Sequence, residues 1–276
     1  ENGVKGIFGL GGSVGMVERP TVTYSPLQGD QFIQRVLSPL PLQSITLLYH
    51  SGWRIERIFQ ICFQRMNHIK NAPGASGPTP KKAPQFKNFI AAVKHLGELQ
   101  SQDVLSLSYN NENESPQIIL HIADEGKNLE AAQKFAKALN LEPGHENYVL
   151  TFSPKQNEPE QIRVVTRSLL GILFYLSQGV EAPEQDIKEG KVTQTLKNSG
   201  EVFDWKEVTG ELLVVRSQSK RPDNATLRVF YRGVWFFIKD SDLKSKSTFS
   251  LLSQIFSLQA GKIKDTAPLL TLPVGQ

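Results

Sequence analysis

Residues 211–261, ELLVVRSQSKRPDNATLRVFYRGVWFFIKDSDLKSKSTFSLLSQIFSLQAG, constrain the fold more than any other part of the chain, because they read from strand to strand to helix. Two runs rich in β-branched and aromatic residues, 226–231 and 234–239, flank Arg232-Gly233, the pattern of a tight hairpin. With Arg232 and Gly233 as the loop, Tyr231 pairs with Val234, Val229 with Phe236 and Leu227 with Ile238, which places six apolar side chains on one face. On the other face Phe230 meets Trp235 and Arg228 meets Phe237, so another element or a partner is expected to cover it in part. Arg-Gly is a poorer type I′ pair than Asn-Gly, which keeps a longer bulged loop open as an alternative.

Upstream, the apolar run 212–215 ends in the turn-rich 219–224 (SKRPDN) and is expected to be a third antiparallel strand, buried on both sides. Downstream, Asp240, Ser241 and Asp242 offer capping oxygens at a helix start and Gly261 a left-handed stop. Between them Phe249, Leu251, Leu252, Ile255, Phe256 and Leu258 cover about half of the helical wheel, and Ser250, Ser253 and Ser257 line the side expected to face water.

The rest of the chain follows the same α+β logic. Its 276 residues suffice for one large or two small domains with a sizeable core. Residues 1–70 read as a glycine-rich arm followed by three helices, the third marked by Ile55, Ile58, Phe59, Cys62, Met66 and Ile69 recurring at three and four. Residues 71–84 (NAPGASGPTPKKAP) read as a linker or exposed loop. Residues 85–200 follow as helix, hairpin at 104–122, helix at 128–141, strands at 148–152 and 162–165, and a buried helix at 168–177, with 181–198 exposed. Residues 201–276 are the hairpin-helix unit, closed by an extended arm at 267–274 that Pro268 and Pro273 suit to an edge strand or docking. The expected architecture is a helical N-terminal region followed by antiparallel sheets built from hairpins and packed with helices.

Few residues offer chemistry. Gly11-Gly12-Ser13-Val14-Gly15 fits the spacing of a nucleophile elbow, but Pro20 and Thr21-Val22-Thr23-Tyr24 continue it as extended chain rather than helix. The same glycines miss the dinucleotide fingerprint, because Val14 stands where the last glycine belongs. His121 lies in a strand with Asp124 and Glu125 nearby, a base with orienting carboxylates but no evident nucleophile. The histidines are scattered without paired spacing, and the single Cys62 sits on an apolar helical face, which suits a core thiol. No catalytic, cofactor-binding or metal-ligating residue is therefore assigned, and no cofactor is expected. A net charge of +4 with dispersed basic residues argues against nucleic acid as a partner.

Residues 19–40 (RPTVTYSPLQGDQFIQRVLSPL) and 231–261, with Ser51-Gly52-Trp53, 167–179 (RSLLGILFYLSQG) and 204–210 (DWKEVTG), resemble a family of uncharacterised proteobacterial envelope lipoproteins. The resemblance implies a place on the periplasmic side of the outer membrane and a lipid anchor N-terminal to the stretch seen, so that the chain is a fragment of a longer protein. It also implies other envelope proteins as partners, with an accessory component of a Dot/Icm-type type IV secretion core complex as the specific case. The expectation is a non-enzymatic scaffold. The alternatives are an envelope hydrolase using Ser13 or His121, and an envelope glycan-binding module using exposed aromatics such as Trp53 or Trp235.

Overall fold

The computed structural model describes residues 29–111, 115–154 and 159–260, so Ser13, Gly261 and the arm at 267–274 lie outside the described residues. Three helices open the fold: α1 (Gly29–Leu37), α2 (Leu42–His50) and α3 (Ile55–Cys62). Pro39 and Pro41 separate the first two, as their fixed φ and missing N–H require.

The third helix is shorter than its periodicity predicts. It ends at Cys62, and the chain turns directly into β1 (Phe63–Met66) and β2 (Ile69–Lys70), so Met66 and Ile69 are strand residues. Phe63 and Met66, three apart with Gln64 and Arg65 between, suit the helical period, and the strand buries both through a register irregularity between Phe63 and Arg65; what decides for the strand is the set of donors at the helix end described below. The turn between β1 and β2 is set by Asn67 at φ 46°, whose side chain donates to Leu139 O (3.1 Å) and accepts from Arg163 N (2.8 Å).

A one-turn 3-10 helix (Pro73–Ser76) and α4 (Lys87–Ser101) lead to the hairpin β3 (Leu105–Asn110) and β4 (Gln117–Ile122). The segment 71–84 is not uniformly exposed, since Asn71, Ala72 and Ala75 are buried in it. Helix α5 (Glu130–Ala138), β5 (Asn147–Thr151), β6 (Gln161–Thr166) and α6 (Leu169–Ser177) follow, and the six strands form one sheet in the order β2-β1-β6-β5-β4-β3. Every pair is antiparallel except β5 with β6, which run parallel, so the large sheet is mixed rather than wholly antiparallel. Alternation sorts its faces. Leu107, Ile118, Leu120, Leu150, Ile162 and Val164 are buried with Phe89, Val93, Leu96 and Phe135 of the helices, while Ser106, Ser108, His121 and Arg163 face outward.

The remaining elements are the short α7 (Glu184–Lys188) and α8 (Lys206–Thr209), a three-stranded sheet of β7 (Arg216–Gln218), β8 (Ala225–Tyr231) and β9 (Val234–Lys239), and α9 (Leu243–Ala260). Strand order is β7-β9-β8, all antiparallel. The third strand does not lie at 212–215 as the apolar run suggests. Leu212 and Leu213 plug the core while the strand proper begins at Arg216, because Val215 is held in a parallel bridge to Val180. Helix α9 starts with Asp242, whose carboxylate accepts from Ser245 N (3.0 Å), and docks onto the opening helices. Arg57 of α3 reaches Lys244 O (3.0 Å), Trp53 Nε1 donates to Gln254 Oε1 (2.7 Å), and the Phe32 and Phe256 rings meet edge to face at 6.2 Å.

Candidate interaction surface

The hairpin forms in the register that the sequence predicts: Tyr231 opposes Val234, Phe230 Trp235, Val229 Phe236, Arg228 Phe237 and Leu227 Ile238. Arg232 at φ 52° and Gly233 at φ 83° make the turn type I′, which matches the strand twist, although Arg must enter the left-handed region there. A register irregularity between Ala225 and Leu227 bends the base of β8.

What differs from expectation is burial. Ile238 and Phe237, at the base, are buried, but Val229 is 64% exposed, Tyr231 61% and Phe230 57%. Both faces of β8 are thus open toward the tip, and its outer edge pairs with no strand among the described residues. Phe230 and Trp235 stack at 5.0 Å on one face and leave the indole half-buried. An exposed strand edge rich in apolar side chains is a template for another chain. A second apolar area lies where α1, α6 and α9 meet, with Ile33, Leu37, Leu173 and Phe256 exposed.

The interior contains one strongly polar centre. The guanidinium of Arg167, wholly buried, donates to Gln60 O (3.1 Å), Ile61 O (3.1 Å), Phe63 O (2.6 Å), Asn71 O and Ser76 Oγ (3.1 Å), and its main-chain N–H donates to Cys62 O (2.6 Å). Asn71 Nδ2 donates to Gln60 O and Phe63 O, both at 2.8 Å. The carbonyls that a helix leaves unsatisfied at its C-terminus are here taken up by one arginine and one asparagine. Among the described residues no carboxylate pairs with Arg167. Its charge is balanced by the negative end of α3 and by the Tyr175 ring, whose centroid lies 3.8 Å from Cζ. Burial lowers the guanidinium pKa to about 10, still well above neutrality, so the group is a cation in the folded protein. Burial likewise pushes the neighbouring Cys62 thiol up to about 12, which makes it an inert core residue.

A cavity of about 460 Å³ lies beside these elements, walled by Gly179, Val180, Thr195, Phe203, Trp205 and Leu213. Several of its polar groups are already engaged with one another or with the main chain. Thr195 Oγ1 accepts from Trp205 Nε1 (3.0 Å) and donates to Pro80 O (2.5 Å), Asp204 accepts from Lys206 N (2.9 Å), and Glu181 pairs with Lys206 (3.2 Å). Among the described residues no buried side-chain nitrogen or oxygen lacks a partner, and no cluster of His, Cys, Asp or Glu could hold a metal ion.

The sequence candidates are not brought together. His121 is exposed on β4 with its Nδ1 3.0 Å from Asn147 Oδ1, and it lines none of the principal cavities. Trp53 and Trp235 are both half-buried and lie on different elements, the first beside α3 and the second in β9. Arg167, the most connected side chain of the core, has no sequence signal beyond its place between a strand and a helix. No described helix is long and apolar enough to cross a membrane. No family model, curated protein or solved structure matches the chain.

Proposed function

We propose that this protein is a non-enzymatic structural component of the bacterial cell envelope, working through contacts with other proteins. In its particular form the reading places the chain on the periplasmic side of the outer membrane, attached by an N-terminal lipid, as an accessory part of a type IV secretion core complex of the Dot/Icm kind. The observation that carries the general reading is the β8–β9 hairpin, with Val229, Phe230 and Tyr231 exposed at an open sheet edge. Monomers that expose such an edge usually blunt it with lysine or proline, and between Leu227 and Tyr231 the only charge is Arg228. The sequence resemblance to envelope lipoproteins supports the location.

Purification of the tagged protein from detergent-solubilised membranes tests the reading. It is expected to emerge in a high-mass fraction with other envelope proteins; recovery solely as a free monomer from the aqueous fraction would remove its basis.

A further inference from the structure

A second cavity of about 460 Å³ lies at the β2 edge of the large sheet, between the β1–β2 hairpin and the residues that lead into α4. Ile69 and Phe86, both buried, give it an apolar floor. Its charged lining is of one sign: His68, Lys70 and Lys87 face it beside the amides of Gln85 and Asn88, and no Asp or Glu does so among the described residues. Lys87 has a loose, exposed partner in Glu207 at 4.0 Å, whereas the side chains of His68 and Lys70 have none among the described residues. Arg65 stands directly opposite Lys70 in the β1–β2 pair and is likewise unpaired there. Like charges at directly opposed positions of a sheet repel, and within the described fold no carboxylate offsets this pair. Folding therefore concentrates positive charge at the cavity at a cost in stability.

We propose that this cavity binds a small organic phosphate. A phosphate group offsets the repulsion between Lys70 and Arg65, and ammonium groups such as those of Lys70 and Lys87 hold phosphate as point charges, with His68 and the amides of Gln85 and Asn88 as further donors. The apolar floor of Ile69 and Phe86 suits the short carbon part of the molecule, and the volume is that of a small-molecule site. A nucleic acid strand fits less well, because the one aromatic side chain of the cavity, Phe86, is buried and offers no platform for a base. The site belongs to the large sheet and not to the β8–β9 hairpin, so it stands or falls apart from the scaffold reading.

Such a group can come from a soluble compound or from a lipid headgroup, and two probes separate these sources. The whole chain is titrated calorimetrically with glycerophosphate and, separately, floated with vesicles of phosphatidylglycerol in phosphatidylcholine. Saturable binding of the first or flotation with the second is expected, and Lys70→Glu is expected to weaken it at least about tenfold. The same substitution sets a carboxylate opposite Arg65, so the urea midpoint of the variant is expected to be no lower than that of the parent. Loss of binding without loss of stability is what a lysine kept only for the fold would not show. Lys220→Glu, at an exposed position in the loop before β8, makes the same change in net charge and is expected to leave binding intact. The proposal is overturned by absence of binding to both probes, by equal weakening from Lys220→Glu, or by a Lys70→Glu variant that binds like the parent or unfolds at lower urea.

Discussion

Replacing Arg167 by alanine is expected to destabilise the fold by about 3–5 kcal/mol, the order observed when one member of a buried polar network is removed. The guanidinium is a donor shared by Gln60 O, Ile61 O, Phe63 O and Asn71 O, so its loss takes a buried donor from all four, leaves Gln60 O and Phe63 O to Asn71 Nδ2 alone, and opens a void against Tyr175. Arg167→Lys restores the charge but not the planar fork, and is expected to recover only part of the loss. Urea unfolding followed by circular dichroism measures both; an alanine variant within ~1 kcal/mol of the parent would contradict the role assigned to Arg167. The pH dependence has a definite sign. Because the folded-state pKa is depressed, to about 10, the unfolded chain binds more protons between that value and the ordinary arginine pKa. The desolvation cost is therefore fully present below the folded pKa and is relieved only as pH rises through that window, so Arg167 contributes no pH dependence between pH 6 and 8.

Gly179→Ala is the second substitution expected to cost heavily, about 1–3 kcal/mol. A Cβ there would fall on the main-chain oxygen of Leu213, and backbone cannot swing aside as the end of a flexible side chain can. The same place joins the small sheet to the core: Val215 N donates to Gly179 O (2.9 Å) and Glu181 N to Val215 O (2.8 Å). The expected result is a lower urea midpoint together with increased protease sensitivity in residues 213–239. An unchanged midpoint would mean that the segments separate at little cost.

The hairpin was legible because everything that fixes it is local. Two alternating runs and one Gly-containing pair set the register to the residue, and an arginine accepts the left-handed conformation that the turn demands. Most of the helices and the strands at 105–110, 117–122, 147–151 and 161–166 were legible for the same reason. What escaped were features settled by residues far apart in sequence. Helix α3 stops at Cys62 because Arg167, more than a hundred residues later, and Asn71 donate to its last carbonyls, and no pattern within 55–69 reports that. The parallel pairing of β5 with β6 escaped because apolar alternation is the same for either direction. The shift of the third small-sheet strand from 212–215 to Arg216–Gln218 follows from Leu212 and Leu213 entering the core. The open edge was half legible: aromatic residues on the second face suggested a cover, but their exposure is a property of the assembled fold.

The central claim is that the β8–β9 hairpin is the surface through which this protein meets others. Its most direct test is the double substitution Val229→Glu with Tyr231→Glu, made where both side chains are exposed and where each change is expected to alter stability by no more than ~0.5 kcal/mol. Variant and parent are purified side by side from solubilised membranes and their associated proteins compared by mass spectrometry. The account predicts a folded variant, with the circular dichroism and urea midpoint of the parent, that has lost the associated envelope proteins. A variant that keeps the full set would contradict it.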